Sequence, residues 1–206
     1  CGYVGLVSGA CFAELGNQVI CVDDDLKKIN HLKRGVVPFY EPGLAELVAN
    51  NLKNKRLKFT SSIKDAVRGS QVIFIAVGTP ALQNGGVDLT GIKKVARSIA
   101  RYIDGYRLIV EKSTAPLETC AWIKKTVAAY IEDKHRFDVV SNPEFLREGS
   151  AISDFNHPDR IVLGLESLPA KRIMMDLYQP LNRPILVTTI KSAELIKHAS
   201  NAFLAT

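Results

Sequence analysis

The sequence predicts an α/β fold, a doubly wound parallel sheet with helices on both faces. Short apolar runs rich in β-branched residues recur along the chain, and between them lie longer stretches with apolar residues three and four apart. Turn residues separate the two patterns, and such alternation means parallel βαβ units. The predicted strands are Gln18 to Asp23, Leu57 to Thr60, Gln71 to Val77, Arg107 to Glu111, Phe137 to Ser141, Arg160 to Leu165 and Pro184 to Thr188. The predicted helices are Tyr3 to Leu15, Leu26 to Arg34, Pro42 to Leu52, Ile63 to Arg68, Thr90 to Ile103, Pro116 to Glu132 and Ala170 to Leu177. Lys191 to Thr206 reads as one more helix, still running when the chain stops. The nearly unbroken apolar run Val72 to Val77 implies a sheet covered on both faces.

With 206 residues, 47% hydrophobic and 23% charged, the chain can bury a sizeable core, which excludes disordered and low-complexity classes. Its net charge of +6 is scattered except for one dense run, Lys53 to Lys58. That run reads as a solvated turn or as a contact for a phosphate-bearing partner. Aromatic residues barely interleave with it, so a nucleic-acid platform is not expected. Cys1, Cys11, Cys21 and Cys120 form no C-x-x-C pair, which fits a reducing compartment, with the cytoplasm as the expected location. No stretch reaches the roughly 18 consecutive apolar residues of a membrane span, and no signal peptide is evident.

The chain opens Cys1-Gly2-Tyr3-Val4-Gly5 before an apolar helix, and the next strand ends in Asp23. This is the back half of G-x-G-x-x-G, the dinucleotide turn of Rossmann-like folds. Gly2 would let the backbone approach a pyrophosphate, Gly5 would pack helix on strand, and the helix start offers amide donors. Asp23 has the spacing to bond the adenosine ribose hydroxyls. A 2′-phosphate about 4 Å from it would be repelled by up to roughly 4 kcal/mol per charge pair at an effective dielectric of about 20, so NAD is expected over NADP. Asp24 and Asp25 add to the repulsion, while Lys27 and Lys28 are expected on the first exposed turn of the next helix or over the adenine. The first strand of the motif is missing from this sequence. It would be the central one, between the strands ending at Asp23 and Val77, and its absence should leave two edges unpaired.

In open α/β sheets the ligand sits beyond the carboxyl ends of the strands. There the sequence places Gly78-Thr79-Pro80, then Lys112-Ser113-Thr114-Ala115-Pro116, then Asn142-Pro143-Glu144-Phe145-Leu146-Arg147-Glu148-Gly149. Turn chemistry alone could explain Thr79 and Ser113. Glu144, beside Phe145 and Leu146, is where a carboxyl could be half buried. On the last helix Lys197 and Asn201 share a face, and Ala193, Leu195, Ile196, Ala199 and Phe203 favour burial of much of it. A lysine there is a candidate for holding an oxyanion, with a solvated face as the plain alternative. His198 and the other histidines show no metal spacing, and Cys120 reads as a small core residue.

Together, G-Y-V-G-L-V, V-D-D-D, Y-E-P-G-L (Tyr40 to Leu44), V-G-T-P, E-K-S-T-A-P, S-N-P-E-F-L-R-E-G-S-A-I (Ser141 to Ile152), H-P-D-R-I-V-L-G (His157 to Gly164) and S-A-E-L-I-K-H-A-S-N-A-F-L-A (Ser192 to Ala205) resemble the UDP-glucose/GDP-mannose dehydrogenase family, closest to its UDP-glucose branch. The resemblance runs the whole length in order. It implies a four-electron oxidation of the C6 alcohol of UDP-glucose or a related nucleotide sugar, with two NAD reduced, through an aldehyde and a cysteine thioester. It further implies catalytic roles for Lys197 as base and oxyanion partner, Asn201 as its assistant, and Thr114 and Glu144 in thioester hydrolysis. Gly2, Tyr3, Val4, Gly5, Asp23, Lys28, Thr79, Ser113 and Glu148 would face the cofactor. Glu144, Phe145, Leu146, Arg147, Glu148, Lys197 and Asn201 would border the sugar nucleotide. Residues 1–189 would form the dinucleotide-binding domain, lacking its first strand, and 190–206 the start of a connecting helix through which the intact protein would pair as a homodimer. The family's cysteine nucleophile and second domain would lie beyond Thr206. None of the four cysteines present matches that nucleophile. The alternatives are a non-catalytic NAD sensor, or a dehydrogenase of GDP-mannose or UDP-N-acetylmannosamine.

Overall fold

Each predicted strand forms in the computed structural model, which describes residues 1–131 and 136–204. The strands are β1 (Val19–Val22), β2 (Leu57–Thr60), β3 (Val72–Ile75), β4 (Arg107–Glu111), β5 (Phe137–Ser141), β6 (Ile161–Gly164) and β7 (Ile185–Thr188). The helices are α1 (Tyr3–Glu14), α2 (Leu26–Leu32), α3 (Leu44–Lys53), α4 (Ile63–Gly69), α5 (Thr90–Tyr102), α6 (Thr119–Ala128), α7 (Ala151–Asn156), α8 (Leu168–Tyr178) and α9 (Ile190–Leu204). Glu132, Ala205 and Thr206, expected in helices, lie outside the described residues. Two helices start later than their patterns suggest, because Gly43 (φ 79°) and Glu118 (φ 71°) take left-handed backbone just before Leu44 and Thr119. The pattern also missed α7, whose six residues are too few to show a period.

By contacts the chain divides into two units, Cys1–Gly69 with Phe145–Pro158, and Ser70–Glu144 with Asp159–Thr206. The first holds a two-stranded parallel sheet, β1-β2. Helix α1 is its core element: Leu6, Val7, Ala10 and Ala13 are wholly buried, each large side chain stabilising the unit by about 1.5–3 kcal/mol. A Cβ added at Gly9 would stand 2.6 Å from Cys21 Sγ, so a close approach of helix to strand falls there. Phe12 meets Phe155 of α7 edge to face at 5.0 Å. The basic run is the α3–β2 turn: Lys53, Lys55 and Lys58 are exposed, and Arg56 pairs with Glu14 at 3.3 Å.

The second unit holds a five-stranded sheet, β3-β4-β5-β6-β7. β3, β4 and β5 pair in parallel, as do β6 and β7, but β6 meets β5 antiparallel through Ser141 and Gly164. This departs from the uniformly parallel expectation. A parallel return needs a crossover that packs back on the sheet, whereas α7 packs on α1 instead. The strands buried throughout are Leu108–Glu111 of β4 and the whole of β6. Val72, Ile73 and Phe74 of β3 are only half-buried rather than covered on both faces, because β3 is an edge of this sheet, the unpaired edge expected for the strand that leads to Val77. β1 is likewise an edge strand.

Candidate functional site

In the first unit the turn at Gly2 leads straight into α1. A Cβ at Gly2 would meet nothing within 4 Å, and the first turn of α1 has neither a side-chain cap nor an acidic residue. Its amide donors and dipole end are therefore available to an anion. Tyr3, Val4 and Gly5 form that first turn and are half-buried. Asp23 follows β1, and its Oδ1 accepts the Asp25 amide at 3.0 Å while Oδ2 accepts Lys28 Nζ at 2.8 Å. Burial, the largest influence, pushes the Asp23 carboxyl up, but Lys28 and the Asp25 amide outweigh it and hold the carboxyl below its ordinary value. Lys28 thus lies on the carboxylate itself, while Asp25 caps α2 by accepting the Lys27 and Lys28 amides at 2.9 and 3.1 Å. An ionised carboxylate beyond an open glycine turn fits a dinucleotide whose adenosine ribose carries no 2′-phosphate.

The loop after β5 also contributes to this unit. Phe145 and Leu146 are half-buried, and Arg147 and Glu148 exposed. The Arg147 guanidinium and amide both hold Asp154, with Nη2 at 2.6 Å from Oδ1. The sequence reading left Glu41 of Y-E-P-G-L without a role. It is buried, and its carboxylate accepts the Tyr3 hydroxyl, the Gly149 amide at 2.8 Å and the Ala151 amide at 2.8 Å. Burial raises the Glu41 carboxyl, but these hydrogen bonds outweigh it and hold it below its ordinary value.

In the second unit the loops beyond the carboxyl ends of β3, β4 and β5 and the middle of α9 hold the remaining candidate residues. Lys197 Nζ donates to the Glu144 carbonyl at 2.6 Å and to its Oε1 at 3.1 Å, with both side chains about nine-tenths buried. The buried residues of α9 are Ile190, Ala193, Glu194 and Lys197, one stripe at helical spacing that carries two charged groups. Leu195, Ala199, Asn201 and Phe203 are exposed, against the expected burial of much of this helix, because a single stripe is all that one packed face covers. Asn201 therefore lies on α9 one turn past Lys197 but in solvent.

Thr79 donates to the Thr114 carbonyl at 2.6 Å, and Ser113 Oγ accepts the Val77 amide at 3.0 Å. Both hydroxyls thus bind one loop to another, the turn role that their residue types allowed. His198 bonds the Ala115 carbonyl at 2.8 Å, a packing role. No cluster able to hold a metal occurs among the described residues. Cys120 is buried and its thiol is pushed up by burial, consistent with a core residue.

Three further groups escaped the sequence reading. Glu194 accepts the Glu118 and Cys120 amides at 2.8 and 2.9 Å and so anchors α9 to the start of α6. An acid three residues before Lys197 was the available signal. Lys112 is buried with Nζ on Asn142 Oδ1 at 3.1 Å, and Asn142 in turn donates to the Val162 carbonyl at 3.0 Å. Burial lowers the Lys112 ammonium to about 8 against the opposing pull of Glu144 and Glu111. Glu111 Oε1 is buried with no hydrogen-bond partner among the described residues, and burial raises this carboxyl to about 8.

Comparison with known proteins agrees with this geometry. Residues 1–182 match the NAD binding domain of the UDP-glucose/GDP-mannose dehydrogenase family. The chain is 52% identical over its whole length to UDP-glucose 6-dehydrogenase TuaD of Bacillus subtilis, covering 44% of that protein. It is 48% identical to a UDP-glucose 6-dehydrogenase of Rhizobium meliloti, with 99% of the chain and 48% of that protein matched. Among solved structures, a UDP-glucose dehydrogenase from the archaeon Pyrobaculum islandicum superposes with a TM-score of 0.96 at 41% identity, over 99% of this chain and 48% of that one. A GDP-mannose dehydrogenase of Pseudomonas aeruginosa in a ternary complex gives 0.96 at 35% over the same shares. The chain spans about half the length of the relatives it matches. No helix among the described residues is long and apolar enough to cross a membrane. An open glycine turn, an acid closing the next strand and a match over most of the length place the chain in the UDP-glucose/GDP-mannose dehydrogenase family, as its NAD binding domain.

Proposed function

We propose that the complete polypeptide oxidises the C6 alcohol of UDP-glucose to the carboxylate of UDP-glucuronate in two successive NAD-dependent steps. The observation that carries this reading is the buried Lys197 ammonium seated on Glu144 beyond the carboxyl end of β5. Relatives between 41% and 52% identical that bear the UDP-glucose 6-dehydrogenase name support the substrate. Gly2, Tyr3, Val4 and Gly5 would hold the pyrophosphate, with Asp23, steadied by Lys28, on the adenosine ribose. When bound, NAD supplies the acceptor for the hydride that leaves C6.

Lys197, assisted by Asn201, would stabilise the negative charge that develops on the C6 oxygen. Glu144 and Thr114 would orient the water of the hydrolytic step and take its proton. Thr79 and Ser113 would fix the loops that border the cofactor, and Phe145 to Glu148 would border the sugar nucleotide. In this reading residues 1–189 are the dinucleotide-binding domain, and α9 begins the connector to a second domain. The exposure of Leu195, Phe203 and Leu204 supports pairing of that helix in a homodimer. The reaction belongs to the cytoplasm, with neither nucleic acid nor membrane as a partner.

The test is stoichiometry. The complete polypeptide should form two NADH per UDP-glucose consumed, and Lys197→Met should lower kcat by about 10²–10³, as loss of an oxyanion donor does. One NADH per sugar would reject the four-electron mechanism, and none would leave an NAD sensor. The equal superposition on a GDP-mannose dehydrogenase favours GDP-mannose as the second reading, and turnover of that sugar alone would establish it.

A further inference from the structure

The geometry points to Glu41 as a positioning residue that couples the dinucleotide turn to the loop 145–151, through one carboxylate shared by Tyr3, Gly149 and Ala151. The inference rests on the reading above for one assignment, that this loop borders the sugar nucleotide.

Glu41 lies between α2 and α3, is 4% exposed, and has none of the cations usual for a buried carboxylate among its hydrogen-bond partners. Neutral donors hold its charge instead. Oε2 accepts the Gly149 amide at 2.8 Å and also the Tyr3 hydroxyl, and Oε1 accepts the Ala151 amide at 2.8 Å. Ser150, the N-cap of α7, makes no side-chain cap bond, so Glu41 supplies from a distant segment the acceptor that α7 lacks. Gly149 stands at φ 89°, a conformation that glycine takes without strain and that aims its amide at Glu41.

Tyr3 is the first residue of α1, directly after Gly2, so a pyrophosphate on that turn touches the backbone that carries the tyrosine. Its ring packs on Phe39 at 5.1 Å, and its hydroxyl also lies 3.4 Å from the Arg147 carbonyl. A carboxylate serving the loop alone would need only the two amides. Placing the tyrosine hydroxyl on the oxygen that receives Gly149 makes the two bonds share one acceptor, so anything that fixes Tyr3 also fixes the loop. Linkage makes this reciprocal: an ordered loop favours the dinucleotide as much as the dinucleotide favours an ordered loop.

The test uses the complete polypeptide with NAD as the sole ligand, following hydrogen–deuterium exchange of residues 145–152. NAD should slow exchange at Gly149 and Ala151 by about fivefold or more, the lower end of coupling between sites. Tyr3→Phe leaves the Glu41 bonds to Gly149 and Ala151 in place, so exchange at those two amides without NAD should match the wild type, while at NAD concentrations shown by titration to saturate the variant the slowing disappears. A structural role alone would not produce that difference. Glu41→Gln should raise exchange at both amides without NAD, and if it fails to fold, Tyr3→Phe carries the test. An NAD-bound wild type with unchanged loop exchange, or Tyr3→Phe with the full NAD effect, overturns the proposal. No sugar is added, so a protein that fails the two-NADH test still reports on the coupling.

Discussion

Replacing Gly164 by alanine tests whether packing under α9 sets the position of Lys197. Gly164 ends β6, pairs with Thr188 and Ser141, and lies against the start of α9. An added Cβ would stand 2.5 Å from Ala193 Cβ, 2.8 Å from Ile190 Cα and 2.9 Å from the Thr189 carbonyl oxygen. Carbon atoms prefer about 3.5–4.0 Å, so α9 must retreat by about 1 Å. Two of the three neighbours are backbone, so no rotamer change relieves the clash, and overpacking of this kind costs about 1–3 kcal/mol. Lys197 lies one turn beyond Ala193, roughly 6 Å along the axis, so it moves with the helix. Its Nζ now sits 2.6 Å from the Glu144 carbonyl, and a misplacement near 1 Å can cost about 10²-fold in rate. The complete Gly164→Ala polypeptide should therefore melt earlier and lose about 10²-fold in kcat, while NAD affinity changes little. A folded variant with wild-type kcat would refute the argument that α9 packing places Lys197.

Two further predictions concern buried and half-buried acids. Glu111 has a folded-state pKa of about 8 against an ordinary 4.5, so the folded state holds its proton more tightly. The stability this gives is fully present below the unfolded pKa and is lost as pH rises through the folded one. Between those limits the wild type should lose stability relative to Glu111→Gln on the order of a few kcal/mol, read from melts of the complete polypeptide at mildly acidic and mildly alkaline pH. Parallel curves for the two proteins would show that Glu111 does not titrate in that window. Asp23→Ala removes the carboxylate proposed to hold the adenosine ribose and frees Lys28 from it. NAD binding should weaken, and the preference for NAD over NADP should fall by about tenfold or more, since removing even part of the repulsion exceeds 1.4 kcal/mol. Unchanged discrimination in a calorimetric titration would move the ribose contact elsewhere.

All seven strands and the glycine turn before α1 could be read from the sequence because each rests on local order. Apolar runs, residue spacing and turn chemistry are properties of neighbouring residues, and they survive into the fold whenever nothing distant overrides them. The antiparallel entry of β6 and the exposed face of α9 were not legible, because each depends on which elements pack together. The same holds for Glu41, Lys112, Glu111 and Glu194. A charged residue in a sequence reads as solvated until tertiary structure shows what covers it. The partners of Glu41 lie 38, 108 and 110 residues away along the chain. Those of Glu194 lie 76 and 74 away. The sequence by itself determined the class of fold and the dinucleotide motif. Which acids are ionised and which loops they hold were decided by tertiary structure, since burial and long-range hydrogen bonds exist only once the chain has folded.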